Sequence, residues 1–252
     1  MKLRRPSSIT GVLGFLLGSF FFGVLFFAAS FRVAEVFFPN ALAGLDSAVF
    51  RWFAGLRLED GKSVFLPITR FGNTTCLVVV VSCVSLSLIV WRRSFEAALF
   101  GGGVGLAALS MITTKWLIGR PRPTSPAVSI LDGTPAFPSG HVAVGGVVYI
   151  LLAYLLAREL RGRISRLMLL GFGIVVALLI AWTRLYFGVH WMSDVLGGIA
   201  LAGFWLAVLV FLIVSHRRLH PLRASPSSFW QVLLQAIVLI VLVVFFFRYV
   251  RA

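Results

Sequence analysis

The chain has 252 residues, of which 60% are hydrophobic and 12% charged, with a formal net charge of +15. A soluble domain carries about 25% charged residues, so the composition excludes an ordinary soluble protein and marks an integral membrane one. The basic excess sits in short segments between apolar runs, which is the pattern of membrane topology and not of nucleic-acid binding.

The chain opens on a short basic head, Met1 to Arg5, followed by an apolar run from about Gly11 to Phe31 that is long enough to span a bilayer. Ala28-Ala29-Ser30 could pass for a signal cleavage site. The run is longer than the roughly 7–15 residues of a signal core, so it is expected to remain as a first span. Residues 32–70 are mixed, and Ala48 to Leu56 sets Val49, Phe50, Trp52 and Phe53 beside Arg51 and Arg57. That pattern suits a short helix lying in the membrane interface.

A second span is expected from about Thr74 to Trp91. Its two cysteines, Cys76 and Cys83, lie about 10 Å apart along a helix, too far for a disulfide within it, and read as packing residues. Asn73-Thr74-Thr75 matches a glycosylation sequon, but at the membrane edge it reads as chance. A third span covers about Phe95 to Ile118; its Gly101-Gly102-Gly103-Val104-Gly105 lies mid-span with no strand before it, and so reads as close helix packing and not a nucleotide loop. A proline-rich polar loop runs from Gly119 to Pro138. Further spans are expected at about Ser139–Ala157, Leu167–Tyr186 and His190–Val214, and a seventh apolar run at about Phe229–Phe247. The expected architecture is all-α: one membrane domain over residues 1–252, with a six-helix transmembrane core at about 11–215, a short interfacial helix after span one, and an extra C-terminal span at about 229–247.

Orientation follows from the short turns. With the amino terminus inside, the inner segments hold Arg92, Arg93, Arg158, Arg161, Arg163, Arg166, Arg217, Arg218 and Arg223 with the basic head, against one acid, Glu159. Density of Lys and Arg in short turns marks the inner side. The loop 119–138, the start of span four, the end of span five and the start of span six then all face outside.

Three polar clusters occupy those outer ends: Lys115 to Pro123, Pro138-Ser139-Gly140-His141, and Thr183-Arg184 with His190 and Asp194. Lys115, Arg122 and Arg184 can balance a phosphate dianion and the charge that grows as a pentacoordinate centre forms. Ser139-Gly140 begins a helix, where Ser139 is a suitable N-cap and free N–H groups offer a phosphate seat; Gly140 lets backbone approach the ligand closely. His190 and Asp194, four apart, are expected to share a helix face. The carboxylate would orient His190 for attack on phosphorus, leaving His141 to protonate the leaving oxygen and then activate water. Two imidazoles and one carboxylate among three cations oppose a divalent metal, so neither metal nor cofactor is expected.

Lys115-x6-Arg122-Pro123, Pro138-Ser139-Gly140-His141 and Arg184-x5-His190-x3-Asp194 resemble the three-part signature of the type 2 phosphatidic acid phosphatase superfamily. The resemblance covers spans one to six. It implies a metal-independent phosphatase with His190 as nucleophile, His141 as general acid, Asp194 as orienting partner, and Lys115, Arg122, Ser139, Gly140 and Arg184 as phosphate ligands. Thr183 stands where the family usually has serine, and the seventh apolar run lies beyond the six-helix core.

The expected activity is removal of the terminal phosphate from a membrane lipid phosphate or diphosphate at the outer face of a bacterial inner membrane. Undecaprenyl diphosphate, phosphatidylglycerol phosphate, phosphatidic acid and lipid A 1-phosphate are the substrates considered. A phosphotransferase passing the group to another acceptor, a phosphatase for soluble phosphoesters and a non-enzymatic lipid or anion transporter are the alternatives. The vanadium haloperoxidases share similar motifs but not these spans.

Overall fold

The computed structural model describes residues 9–57, 61–124 and 134–219. These form eight helices: α1 (Ile9–Phe37), α2 (Pro39–Leu56), α3 (Gly61–Arg70), α4 (Thr74–Val90), α5 (Ser94–Ile118), α6 (Gly140–Ala157), α7 (Arg163–Tyr186) and α8 (Met192–Leu219). Five are long and apolar enough to cross a membrane; α3 and α4, bent by 42° across their short break, make a sixth candidate when taken as one span. The basic head and the apolar run 229–247 lie outside the described residues.

α6 is the buried centre. It packs chiefly against α7 and α8 and also against α5. Its Val147, Val148 and Leu151 meet Phe100 of α5 and Trp205 and Leu209 of α8 in the main apolar core. The one polar atom of Trp205 is satisfied there, because its indole N–H donates to Ser110 Oγ at 3.2 Å. The glycine run of α5 is used in part: Gly103 faces Leu209 and Gly101 faces Ser85, whereas Gly102 and Gly105 face open space.

Two expectations change between spans one and two. The short helix expected after span one is α2, which starts at Pro39, a favoured first-turn residue, and runs nine residues earlier than the apolar cluster 48–56 suggests. Asp46 and Phe53, about two turns apart, are both buried and face the bundle, while Leu45, Trp52 and Leu56 are exposed. α3 also forms a helix despite its internal Pro67. Lys62 and the proline interrupt the apolar period there, and packing against α7 supports the helix instead.

The two ends of the bundle differ. At one end Arg93, after α4, pairs with Glu96 and with Glu159 at 2.9 Å, and Arg217 of α8 reaches Glu96 at 2.5 Å. This network gathers the α4–α5 turn, the α6–α7 turn and the end of α8, which are the basic segments. The end of α5, the start of α6, the end of α7 and the start of α8 therefore meet at the opposite end.

Candidate active site

α5 stops at Gly119, whose left-handed backbone (φ +66) ends the helix and turns the chain into Arg120-Pro121-Arg122-Pro123. The returning segment is tied back by Ala136 N–H to Arg120 O at 2.7 Å, and by Lys115 Nζ, which donates to Pro135 O at 2.6 Å and Ala136 O at 3.1 Å. Arg122 crosses the gap: Nε donates to Thr134 O at 2.9 Å, and Nη1 donates to Val189 O at 2.8 Å and stands 3.2 Å from His190 Nε2.

Ser139 is the N-cap residue of α6, with extended backbone, but its side chain does not cap the helix. Its backbone N–H donates to Asp194 O at 3.0 Å, joining the starts of α6 and α8, and its Oγ is buried without a hydrogen-bond partner among the described residues. A methyl group at Gly140 would come within 3.0 Å of Met111 Cε, so the helix start is held tight against α5. His141 Nε2 lies 2.9 Å from Asn73 Oδ1. Arg184 Nη1 donates to Thr69 Oγ1 at 2.8 Å, while its buried Nε meets no partner among the described residues. Thr183 turns its hydroxyl back onto Ile180 O at 2.6 Å within α7, so its side chain is spent inside the helix.

His190 does not share a helix with Asp194, contrary to the expectation from spacing. It precedes α8, which begins at Met192. Asp194, in the first turn, takes the Trp191 N–H on Oδ2 at 2.9 Å and holds the helix start, as an acidic residue at that position commonly does. The same Oδ2 stands 3.4 Å from His190 Nδ1, so the pair meets although the helical geometry is absent. His190 is buried, and burial with the Arg184, Arg122 and Lys115 charges pushes its imidazole well below the ordinary range. Burial likewise pushes the Arg122 guanidinium down.

All eight residues expected from sequence thus lie at one end of the bundle. Further residues join them. Arg120 forms ion pairs with Asp194 Oδ1 and Asp46 Oδ2, both at 2.6 Å. Ser193, Thr69 and Asn73 contact Arg120, Arg184 and His141 respectively. Arg120 lies inside the first motif and could have been flagged by its second arginine; Asn73 was legible only as part of a sequon, and Asp46 carried no signal beyond being a lone acid on an apolar helix face. Among the described residues, no group of three or more His, Cys, Asp and Glu gathers that could hold a metal ion.

The profile of the PAP2 superfamily matches residues 96–219. Phosphatidylglycerophosphatase B of Bacillus subtilis (strain 168) is 28% identical over 184 residues, covering 72% of this chain and 87% of that protein. Decaprenylphosphoryl-5-phosphoribose phosphatase of Mycobacterium tuberculosis is 28% identical over 137 residues, 53% of this chain and 70% of that one. The crystal structure of a transmembrane PAP2-type phosphatidylglycerolphosphate phosphatase from Bacillus subtilis superposes with a TM-score of 0.66 at 26% identity, covering 78% of this chain and 95% of that one. With its all-helical bundle, its three motifs at one end and these relatives, the chain belongs to the PAP2 superfamily and is an integral membrane phosphatase that hydrolyses lipid phosphates.

Proposed function

We propose that His190 is the nucleophile of a metal-independent hydrolysis that removes the terminal phosphate of a membrane lipid phosphate through a phosphohistidine. The contact between Arg122 Nη1 and His190 Nε2 carries the reading. A guanidinium can only donate, so this contact calls for the tautomer in which Nε2 accepts and the Nδ1–H donates to Asp194 Oδ2. The basic nitrogen of His190 therefore faces the cations that would hold the phosphate.

The reaction then follows in two displacements. His190 Nε2 attacks phosphorus, the bond from phosphorus to the lipid oxygen breaks, and His141 gives that oxygen a proton. Water then attacks phosphorus and passes a proton to His141; the P–N bond breaks and its electron pair returns to Nε2. Lys115, Arg122 and Arg184 balance the oxygens in both steps, with the backbone at Ser139-Gly140. The unpartnered buried donors, Ser139 Oγ and Arg184 Nε, suit phosphate oxygens.

The proposed setting is a bacterial inner membrane with the site on the periplasmic side. The basic turns at the far end of the bundle support it through the positive-inside pattern. The proposed organisation is a single domain, with the six-span core at about 11–215 and an added span at about 229–247. The names of the relatives point to phosphatidylglycerol phosphate and to polyprenyl-linked phosphates as the substrates to try first.

The test is phosphate release in detergent with excess chelator from phosphatidylglycerol phosphate, undecaprenyl diphosphate, phosphatidic acid, lipid A and one soluble phosphoester, with His190→Ala alongside. Release from a lipid that is lost in the variant, and a phosphoryl group trapped on the wild-type protein by an alkaline denaturing quench, which spares the acid-labile P–N bond, is the expected result. Turnover retained by folded His190→Ala would remove the nucleophile assignment, and loss of wild-type activity to chelator would remove the metal-independent one.

A further inference from the structure

α2 carries none of the three motifs, yet its buried Asp46 ends inside the site. Asp46 Oδ1 accepts the Ser193 backbone N–H at 2.9 Å, and Oδ2 accepts the Ser193 hydroxyl at 2.8 Å and Arg120 Nη2 at 2.6 Å. The other arm of the same guanidinium, Nη1, donates to Asp194 Oδ1 at 2.6 Å and to Ser193 Oγ at 2.5 Å. One rigid fork therefore stands between two carboxylates that are both closed off from solvent. The fork lies over the rings of Phe31 and Trp191, 5.2 and 5.8 Å from their centroids.

We infer that Asp46 is a positioning residue for the phosphatase reaction, acting through Arg120 and Ser193 to place Asp194 and to set how much of its negative charge serves His190. The inference rests on the pairing of His190 with Asp194 proposed above. Asp194 divides its oxygens: Oδ1 goes to Arg120, while Oδ2 meets the Trp191 N–H and His190 Nδ1. A guanidinium that also serves Asp46 draws less on Asp194 than one that serves Asp194 alone. Asp46 additionally grips Ser193, the residue next to Asp194, by both its N–H and its hydroxyl, and so holds the first turn of α8 in place.

The charge around His190 makes this division matter. Lys115 faces it from α5, Arg122 from the following loop, His141 from α6 and Arg184 from α7, and among the described residues Asp194 from α8 is the acid that answers them. Arg120 and Asp46 are linked to His190 through Asp194. The support His190 receives as it becomes a phosphorylated, cationic ring thus depends on the share of Asp194 that Arg120 leaves free.

Asp46→Asn keeps the shape of the side chain and removes its charge, so that Arg120 falls wholly on Asp194. The expected result is a kcat at least about tenfold lower, inside the 10²-fold that small misplacement of reacting groups costs, with KM within about twofold of wild type. The acidic limb of kcat/KM, which reports the free enzyme, moves to lower pH because His190 loses carboxylate support. Arg120→Gln moves that limb to higher pH, since two carboxylates then lie near His190 without their cation.

A role in stability alone predicts lower melting temperatures with unmoved limbs, or limbs moved the same way, and either result overturns the inference. Should a charged variant fail to fold, Ser193→Ala, which deletes one hydroxyl and no charge, asks the same question: lower kcat at unchanged KM supports the coupling, and wild-type kcat overturns it. Turnover by His190→Ala would sink the nucleophile reading and this inference together. An inactive His190→Ala beside an Asp46→Asn with wild-type kcat and pH profile would sink this inference alone.

Discussion

His141 Nε2 stands 2.9 Å from Asn73 Oδ1, so the proposed general acid is held by the elbow between α3 and α4 and not by a residue of the three motifs. The carbonyl oxygen of an amide can only accept, so Nε2 carries a proton in this arrangement. Gly72 of the elbow also packs on the His141 ring, and Thr69 in the last turn of α3 receives Arg184 Nη1, a second candidate site residue.

Asn73→Ala should therefore lower kcat by about 10²-fold, the scale of a general-acid contribution, for a lipid with an alkoxide leaving group. With an aryl phosphate, whose leaving oxygen needs little protonation, the loss should shrink to a few-fold. Equal losses on both substrates, measured as kcat for folded protein, would show that Asn73 does not act through His141.

The burial and cationic surround of His190 have a consequence for pH. Its imidazole is pushed well below its ordinary 6.5, so it is neutral at pH 7 and the acidic limb of kcat/KM should lie below 6.5. The unfolded chain takes up this proton at higher pH than the folded one, so stability falls on acidification below about 6.5 and levels off above it. Melting temperatures at about pH 5 and pH 7 should differ more in wild type than in His190→Asn; an equal difference would contradict the assignment.

Gly188 has φ +62, and a Cβ there would run into the Arg57 guanidinium, whose Nε donates to Tyr186 O at 2.7 Å. Gly188→Ala should cost about 1–2 kcal/mol from the left-handed backbone alone and lower kcat/KM at least about tenfold by moving His190, two residues on. Arg57→Ala in that background removes the collision. It should recover part of the melting temperature if the collision is what destabilises the single variant.

Glu96 makes the opposite test, at the far end of the bundle. It is buried between Arg93 and Arg217, and breaking such a pair costs about 3–5 kcal/mol because the partner charges stay behind. Glu96→Gln should lower the melting temperature by roughly 6–20 °C and leave kcat within about twofold at temperatures where the protein remains folded. A large fall in kcat without loss of stability would mean that the two ends are coupled.

Much of the site was legible because its chemistry is carried in short local patterns. Lys115 with Arg122, Ser139 with His141, and Arg184 with His190 and Asp194 each lie within one stretch, and the alternation of spans places all three at one end. What escaped was held over long separations. Asp46 is 147 residues from Ser193, Asn73 is 68 from His141, and Thr69 is 115 from Arg184. A lone Asp, Asn or Thr at a helix edge has no signature until its partner is in place. The extent of α2 and the existence of α3 escaped for a related reason: charged residues and Pro67 break the apolar period, and packing against α7 and α8 compensates.

The sequence by itself determined a membrane-embedded, all-helical chain and marked the candidate phosphate-handling residues at one end of it. Span length, charge density in short turns and residue type are local properties that need no partner to be read. Only the tertiary structure decided that His190 stands outside α8, that its Nε2 faces Arg122, that Ser139 leaves its hydroxyl free, and that Arg120 joins Asp194 to Asp46. In an apolar bundle a buried charge must find a counter-charge or a hydrogen bond, and which one it finds depends on how the helices pack, not on their order in the chain.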